Sequence, residues 1–258
     1  MVAHEQAPSI PTAAPYYPRP PFLYRDCPVI VVTFRTAPHA LRELVPEPLA
    51  PNPDDLMVLL IGRLHNDRIG AYQEAILGVP CTLGERSGNY AAALYLDRPS
   101  AIVGGREIWG WPKKDAILSL VESGDRAWAS AERGGVQIVR AEVELAGPAE
   151  ASDLRLDPTW FNLKLIPSVT DGAPPDVMQL TETTFANVVV REARVGSARL
   201  GFADTVEDPL ASLMPVLEVV AGAYVRLGFD LLDGVVVHDY LDSEVSAERA
   251  REPAGISA

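Results

Sequence analysis

Short apolar segments alternate with turn residues along most of the chain, a pattern that predicts β-strands. The clearest is the Val-Ile-Val-Val run at 29–32, which centres a predicted strand over 22–36. Further strands are predicted at 56–64, 71–78, 90–96, 116–122, 128–132, 136–146, 163–169, 187–195 and, with an interruption, 217–240. Many strands at short spacing with few helices favour a β-dominated α+β fold, either a barrel or a sandwich with helices packed outside.

The predicted helices are short and lie at 38–45, 99–108 and 208–214. Thr36 is the predicted N-cap of the first helix, and Pro38 lies in its first turn, where a missing amide donor costs little. Gly104 and Gly105 weaken the second helix, because glycine is a poor helix former.

The chain divides into three regions by composition. Residues 1–21 contain six prolines and are predicted to form an extended N-terminal arm. Residues 22–242 show no internal repeat and no composition break, and are interpreted as a single domain. The polar segment 243–258 is interpreted as a flexible C-terminal tail.

Composition and charge narrow the class of protein. Apolar residues make up 48% of the chain, which is enough for a sizeable core and excludes wholesale disorder. The 22 basic and 35 acidic side chains give a net charge of −13, so we expect neither nucleic acid nor a membrane as partner. We recognise no signal peptide and no apolar run of ~18 residues, and we expect a cytoplasmic protein.

Motifs of nucleotide, serine-hydrolase and zinc chemistry are missing from the sequence. It contains no G-x-G-x-x-G after a strand, no P-loop, no G-x-S-x-G and no H-E-x-x-H. Cys27 and Cys81 are too few for a disulfide framework or a four-thiolate zinc site. We therefore expect no metal and no cofactor.

Lysine is rare in this chain. Of the 22 basic residues, only Lys113, Lys114 and Lys164 are lysines. The adjacent pair lies in an apolar, aromatic segment with Trp109 and Trp111. A solvated basic turn is the simplest interpretation of such a pair, but an arginine-rich protein that keeps lysine here indicates chemistry that arginine cannot perform.

That chemistry is imine formation with a ketone, which requires a neutral amine. A free lysine has a pKa of about 10.4, and lowering it to about 7 takes roughly 4 kcal/mol. A second ammonium ~6 Å away at an effective dielectric of ~20 supplies about 2.8 kcal/mol. Because adjacent residues of a strand point to opposite faces, we expect desolvation to outweigh repulsion from the neighbouring lysine.

Several motifs occur in an order that resembles the acetoacetate decarboxylase family, itself the standard example of a lysine activated beside another cation. The centre of the resemblance is Gly105-Arg106-Glu107 followed by Pro112-Lys113-Lys114. The remaining matches are Tyr17-Pro18-Arg19 with Pro21, Arg35-Thr36 with Ala40-Leu41-Arg42, Val45-Pro46-Glu47-Pro48-Leu49, Gly70-x-Tyr72-x-Glu74 and Asp239-Tyr240-Leu241. Spaced matches over most of the chain are far more specific than the lysine pair alone.

The resemblance implies a central antiparallel β-barrel or cone with flanking sheets and a few outer helices, assembled into a homo-oligomer. It assigns Lys113 as the Schiff-base former and Lys114 as its neighbouring cation. Glu74 matches an acidic residue near the family's active site. Glu107 belongs to the motif itself and is interpreted either as a proton shuttle or as a structural partner of Arg106.

Substrate binding is assigned to Arg25, Cys27, Leu59, Trp109 and Tyr240. Cys27 stands where acetoacetate decarboxylase has an arginine, and Leu59 where it has a glutamate, so the site is expected to be more apolar. Arg25, two residues before Cys27 and on the same strand face by period two, is the candidate substitute for that arginine. Tyr240 either donates a hydrogen bond or closes the core.

These assignments predict a cofactor-free lyase that forms an imine between Lys113 and a small oxo acid. Since the apolar substitutions argue against acetoacetate, the leading hypothesis is condensation of pyruvate with an aldehyde, followed by loss of water. Decarboxylation of acetoacetate or another 3-oxo acid is the second hypothesis. A binding barrel without catalysis, and a cyclase or dehydratase acting on a larger ketone, are the remaining alternatives.

Overall fold

The computed structural model describes residues 7–150, 154 and 156–242. The first six residues of the predicted arm and the whole predicted tail, 243–258, lie outside the described residues. Within the arm, Tyr17 is buried and its ring packs against Gly104. The division into arm, domain and tail stays a prediction.

Strands make up most of the described chain. They are β1 (Phe22–Arg35), β2 (Ala50–Pro51), β3 (Leu56–Asn66), β4 (Gly70–Leu83), β5 (Arg86–Leu96), β6 (Lys113–Asp115), β7 (Ile117–Ser123), β8 (Arg126–Arg133), β9 (Val136–Pro148), β10 (Thr159–Ile166), β11 (Val177–Phe202), β12 (Glu218–Leu231) and β13 (Val235–Asp239). The helices are α1 (Pro38–Leu44), α2 (Pro99–Gly104), which continues into a π-helical turn (Gly105–Trp109), and α3 (Leu210–Leu213). The predicted β-dominated fold is confirmed.

Seven of the described strands close into a ring. Their order is β10-β5-β4-β3-β1-β12-β11, and β10 pairs with β11 as well as with β5. Each pairing in the ring is antiparallel except that of β10 with β5, which is parallel. Strands β9, β8 and β7 continue from β11 as a flanking sheet. This arrangement corresponds to the predicted central barrel with flanking strands.

Two hydrophobic cores lie on opposite faces of the ring strands, because side chains alternate along a strand. The inner core takes side chains from every strand of the ring, among them Val29 on β1, Ile76 on β4 and Trp160 on β10. The outer core lies mainly between the ring and the flanking sheet, and contains Ile30 on β1 and Ala129 on β8. The predicted reactive lysine lies with the inner core.

Strand β11 departs most from the sequence prediction, which placed a strand only over 187–195. Its first part contains the buried polar run Thr181-Glu182-Thr183. A strand with such residues lacks the apolar pattern from which strands are predicted. Near Asn187, which has a φ of 50°, the register with β12 shifts, so the strand is irregular there. Strand β10 likewise begins at Thr159, earlier than the predicted start at 163.

Helix α1 begins at Pro38, as predicted, but Thr36 does not cap it. The N-cap residue is Ala37, and no side chain hydrogen bond caps the helix. The Thr36 hydroxyl is buried without a hydrogen-bond partner. The predicted cap is therefore wrong, because the residue that adjoins the helix is Ala37 and Thr36 lies one position too early.

No helix within the described ranges is long and apolar enough to cross a membrane. In the same part of the chain, no three histidine, cysteine, aspartate or glutamate side chains are grouped so that they could hold a metal ion. Cys27 and Cys81 are buried, free thiols. Burial raises the pKa of the Cys81 thiol to about 12, so this thiol stays protonated at neutral pH.

Candidate active site

A buried ion pair lies inside the ring. The Nζ of Lys113 is 2.9 Å from Oε2 of Glu74, and the two residues are only 6% and 8% exposed. Lys113 begins β6, which pairs with β5, and Glu74 lies on β4, which also pairs with β5. The fold thus brings two sequence-predicted site residues into direct contact.

Three contacts position Lys113. Leu94 on β5 is its partner in the parallel pairing, and the Arg106 guanidinium donates to the Lys113 carbonyl at 3.2 Å. Gly105 leaves room for the lysine stem, because a Cβ at this position would lie 2.5 Å from Cδ and 2.6 Å from Cε of Lys113. Gly105 is a poor helix former, but the absence of a side chain at this position makes room for the Lys113 side chain.

Lys114 lies on the other face of β6. Its Nζ donates to Oδ1 of Asp208 at 2.7 Å and to the Glu207 carbonyl at 2.9 Å, and 42% of its side chain is exposed. Asp208 also accepts from the Tyr95 hydroxyl at 2.8 Å and from Nε of Arg133 at 2.7 Å. Lys114 therefore ties β6 to the outside of the ring, and its charge is compensated by a carboxylate.

Two tyrosine hydroxyls lie near the ion pair. Tyr72 precedes Glu74 by two residues on β4, which puts both on one face, and its hydroxyl is 2.7 Å from that of Tyr24. Burial, and to a smaller extent the negative charge of Glu74, raises the pKa of both phenols. Both hydroxyls therefore stay protonated at neutral pH and can donate hydrogen bonds.

Lys113 and Glu74 line a small space of about 270 Å³ including its opening, here called the lysine cavity. Its other lining residues are aromatic or aliphatic: Tyr24, Leu64, Ile76, Trp111, Phe185, Phe229 and Leu231. It adjoins a larger space of about 730 Å³ including its mouth, here called the apolar chamber. Among the described residues that line these two spaces, Lys113 is the only cation.

Arg25 points away from the lysine cavity. Its side chain is 48% exposed and pairs with Asp230 at 2.7 Å. The predicted same-face relation to Cys27 is wrong, because β1 has a register shift between Tyr24 and Cys27, where Asp26 has a φ of 54°. Tyr24 and Cys27 both enter the inner core, and Arg25 is left outside it.

Leu59 and Trp109, both predicted to bind substrate, lie outside the two spaces. Leu59 belongs to the outer core, since the alternate residues of β3 are the ones that line the chamber. Trp109 is buried in the inner core, where its indole N–H donates to the Leu232 carbonyl at 3.1 Å and its ring meets Phe22 edge-on. Trp111, two residues further on, lines the lysine cavity instead.

Glu107 and Tyr240 make contacts elsewhere in the fold. Glu107 is exposed and accepts from the Tyr17 hydroxyl at 2.6 Å, whereas its predicted partner Arg106 contacts the backbone of β6. Tyr240 donates to the Glu47 carbonyl at the edge of the outer core. Neither side chain lines the lysine cavity.

The aromatic wall of the lysine cavity was missed in the sequence analysis. Phe185 and Phe229 stack with ring centroids 4.4 Å apart, and Tyr24 stacks on Phe229 at 4.5 Å. These residues come from β11, β12 and β1, and no local pattern links them. Tyr72 had a usable signal, because period two places it on the face of Glu74.

This geometry defines a class of enzyme. A buried primary amine beside a carboxylate, among apolar side chains, is arranged to form an imine with a carbonyl substrate. Water and competing nucleophiles have little access to such an amine. Enzymes that use it to make or break carbon–carbon bonds are Schiff-base-forming lyases.

Comparisons with known proteins agree with this class. The family model for acetoacetate decarboxylase matches residues 7–241. Acetoacetate decarboxylase 2 of Mesorhizobium japonicum is 35% identical over 238 residues, which cover 90% of this chain and 89% of that protein. A solved structure of acetoacetate decarboxylase is 29% identical and superposes with a TM-score of 0.86. The match covers 94% of this chain and 100% of that one.

A more distant structure shows the same fold. The enduracididine biosynthesis enzyme MppR, complexed with the condensation product of pyruvate and imidazole 4-carboxaldehyde, is 20% identical with a TM-score of 0.79. The match covers 90% of this chain and 96% of that one. The chain belongs to the acetoacetate decarboxylase family, and it is a Schiff-base-forming lyase.

Proposed function

We propose that this enzyme decarboxylates a 3-oxo acid through an imine on Lys113. The observation that carries the proposal is the contact of 2.9 Å between Lys113 and Glu74 in an otherwise apolar cavity. Relatives named acetoacetate decarboxylase, 32–35% identical over 90% of the chain, support ranking this reaction above pyruvate condensation, which the sequence alone placed first.

The reaction starts with a proton transfer within the ion pair. Glu74 takes a proton from the Lys113 ammonium, and the neutral amine attacks the substrate ketone. Glu74 then returns the proton to the departing hydroxyl, so that water leaves and a positively charged imine remains. The bond to the carboxylate breaks, its electron pair forms an enamine, and carbon dioxide leaves. A proton taken up from solvent adds to the enamine carbon, and addition of water to the resulting imine releases the ketone and the Lys113 ammonium.

The apolar lining favours the step that breaks the carbon–carbon bond. Before this step the cavity holds a substrate carboxylate and an imine cation, and afterwards it holds neutral carbon dioxide and a neutral enamine. A poorly solvated site penalises the charged pair relative to the neutral products. The negative charge of Glu74 also repels the substrate carboxylate, and this repulsion ends when carbon dioxide leaves.

The Tyr24–Tyr72 pair favours a second candidate, the condensation of pyruvate with an aldehyde. That reaction removes a proton from the methyl carbon of pyruvate and later protonates a leaving hydroxyl, so it needs more proton transfers than decarboxylation. Glu74 supplies one base, and the hydrogen-bonded tyrosine pair leaves one hydroxyl hydrogen free to be donated in the same part of the inner core. An aldehyde partner belongs to this candidate only.

Product analysis separates the two reactions. The protein is incubated with acetoacetate and, separately, with pyruvate plus an aromatic aldehyde, and carbon dioxide and condensation product are measured. We expect carbon dioxide and acetone from acetoacetate, and loss of both in Lys113→Met, which keeps an apolar stem but has no amine. Glu74→Gln is expected to slow the reaction by about 10²–10⁴-fold.

Lys114→Met is the matched control, because it removes the neighbouring amine on the outer face of β6. It is expected to retain far more activity than Lys113→Met. Condensation without release of carbon dioxide would replace the proposal by the second candidate. Activity that survives Lys113→Met would overturn both.

The predicted homo-oligomer and cytoplasmic location stay predictions. Val121 and Trp128, cross-strand partners on β7 and β8, are 39% and 41% exposed. An exposed apolar pair supports the expectation of an interface with a second copy. Light scattering of the purified chain tests the oligomeric state.

A further inference from the structure

We propose that the natural substrate is a 3-oxo acid with an extended apolar chain, and that the apolar chamber holds this chain. The inference rests on the proposed imine chemistry and adds the class of substrate to it. Acetoacetate itself ends in a methyl group, which would leave the chamber unfilled.

The chamber and the lysine cavity lie side by side and share part of their walls. Five residues line both: Leu64, Glu74, Ile76, Phe185 and Phe229. The chamber reaches the surface, since its lining residue Val188 is 44% exposed, whereas Lys113 is buried. A substrate that enters by this mouth therefore passes apolar side chains before its ketone meets the lysine.

The chamber extends well beyond the reacting atoms. Leu64, Gly62, Leu60 and Val58, alternate residues of β3, all line it, but only Leu64 also lines the lysine cavity. At about 3.3 Å per residue, the six steps along the strand from Leu64 to Val58 span roughly 20 Å. This length accommodates a chain of several carbon atoms behind the ketone.

The polar groups of the chamber are occupied by the protein itself. Asn89 donates to the Asp157 carbonyl at 3.4 Å, and the Asp157 carboxylate accepts from the Thr159 N–H at 2.8 Å and the Ser87 hydroxyl at 3.2 Å. These contacts leave an apolar surface for the ligand. The chamber therefore selects for hydrocarbon over polar substituents.

The charges fix the orientation of the substrate. No cation is found among the described residues that line the chamber, and Asp157 adds a second carboxyl group to that of Glu74. A substrate carboxylate in the chamber would be desolvated without a partner, which is unfavourable. The carboxylate therefore lies at the imine of Lys113, and the uncharged end lies in the chamber.

The test is a chain-length series. Release of carbon dioxide is measured with acetoacetate, 3-oxohexanoate and 3-oxooctanoate at several concentrations. Each methylene that the chamber buries is expected to raise kcat/KM by roughly fourfold, mainly through KM, because it contributes uniform binding. 3-Oxooctanoate has four methylenes more than acetoacetate, so burial of all four predicts a gain of roughly 250-fold in kcat/KM. A flat or falling series would overturn the inference.

Variants that fill the chamber provide the structural control. Leu60→Trp places a large ring in the chamber from a half-buried position, and Val188→Trp does so at the exposed mouth, where folding is least affected. Both are expected to lower the ratio of kcat/KM for 3-oxooctanoate over acetoacetate by about tenfold. Leu217→Trp, the same change at a 64% exposed leucine that lines neither space, is expected to leave the ratio unchanged.

Borohydride trapping separates this inference from the proposed function, since trapping requires an imine but no decarboxylation. Acetone and 2-heptanone are compared as probes of the wild type and Leu60→Trp. Preferential trapping of 2-heptanone, lost in Leu60→Trp, supports the chamber even if no carbon dioxide is released. If carbon dioxide is released but neither the release nor the trapping depends on chain length, the role of the chamber in binding the chain is wrong and the proposed function stands.

Discussion

At Lys113 the carboxylate and the apolar wall act together. A buried ammonium is costly unless a partner compensates its charge, and Glu74 at 2.9 Å is that partner. Transfer of the proton to Glu74 leaves two neutral groups, which an apolar cavity tolerates better than two charges. In the proposed reaction, the same contact therefore stabilises the resting lysine and supplies the base that activates it.

Desolvation of Lys113 is expected to matter more than the charge of Lys114. Trp111→Ser removes an indole from the cavity wall and admits water beside the amine. Borohydride trapping with acetone at pH 7 should then slow by about tenfold, because water solvates the charged form of the amine, which cannot attack the ketone. The measurement is the rate of trapping at this fixed pH.

Lys114→Met is the comparison variant for this experiment. The charge of Lys114 is already compensated by Asp208 at 2.7 Å, so its removal should change the rate of trapping less than Trp111→Ser does. A larger change in Lys114→Met would show that the neighbouring charge, and not the apolar wall, governs the reactivity of the amine.

Among the secondary-structure elements, the end of the α2 helical segment decides where the lysine lies. The segment continues into a π-helical turn over Gly105–Trp109, and Gly110 follows with a φ of 82°. Strand β6 then begins at Lys113 and returns the chain to β5. This path brings the backbone of Gly105 against the side chain of Lys113.

Gly105→Ala is expected to displace the Lys113 side chain from Glu74. The new Cβ would lie 2.5 Å from Cδ of Lys113, and the flexible stem would move before the backbone does. A misplacement of about 1 Å costs roughly 10²-fold in rate, so kcat should fall by that order with little loss of stability. Steady-state kinetics and thermal unfolding measure the two effects.

Gly201→Ala is the matched control, because a Cβ at Gly201 meets no atom within 4 Å. It is expected to change neither kcat nor Tm. If Gly105→Ala kept full activity, the close packing at Gly105 would have no part in placing the amine.

The period of two along strands predicted part of the site. It places Lys113 and Lys114 on opposite faces, whereas Tyr72 was missed although the same period puts it on the face of Glu74. It failed at Arg25, because the irregularity at Asp26 adds a residue to β1, and nothing in the local sequence marks it. Regular strands are thus readable from sequence, whereas a bulge depends on the partner strand.

At the scale of the molecule, Asp208 connects several strands on the outer side of the ring. It accepts hydrogen bonds from Lys114 on β6, Tyr95 on β5 and Arg133 on β8. Burial alone would raise the pKa of its carboxyl group, but the hydrogen bonds from Lys114 and Tyr95 outweigh burial and lower the pKa. Such a carboxyl group stabilises the fold above its unfolded pKa of about 3.9, and this contribution is lost as the pH falls through the folded pKa.

Asp208→Asn is expected to lower the free energy of unfolding at pH 7 by about 1–3 kcal/mol, because buried hydrogen bonds to charged groups are lost. The difference from the wild type should shrink as the pH falls from about 5 to about 2. Urea unfolding at several pH values measures both quantities. Asp171→Asn, at an exposed loop position, should show no difference, and a deficit of Asp208→Asn that grows in acid would contradict the account.

The class of fold was predictable because short apolar segments outnumber helical ones along the chain. The strand pattern alone could not predict the closure of the ring, since closure depends on a short parallel contact in which Trp160 and Phe161 of β10 pair with Asn89 and Tyr90 of β5. The aromatic wall of the cavity could not be predicted either, because it also depends on contacts between residues distant in sequence. Phe185 and its neighbours on β12 and β1 meet only after the ring has formed.

Covalent trapping shows whether Lys113 is the amine that forms the imine. The protein is incubated with acetoacetate, reduced with borohydride, and examined by intact mass and peptide mapping. We expect one isopropyl group on Lys113, present in Lys114→Met and absent in Lys113→Met. An adduct on Lys114 or Lys164, or turnover of acetoacetate without any trapped adduct, would contradict it.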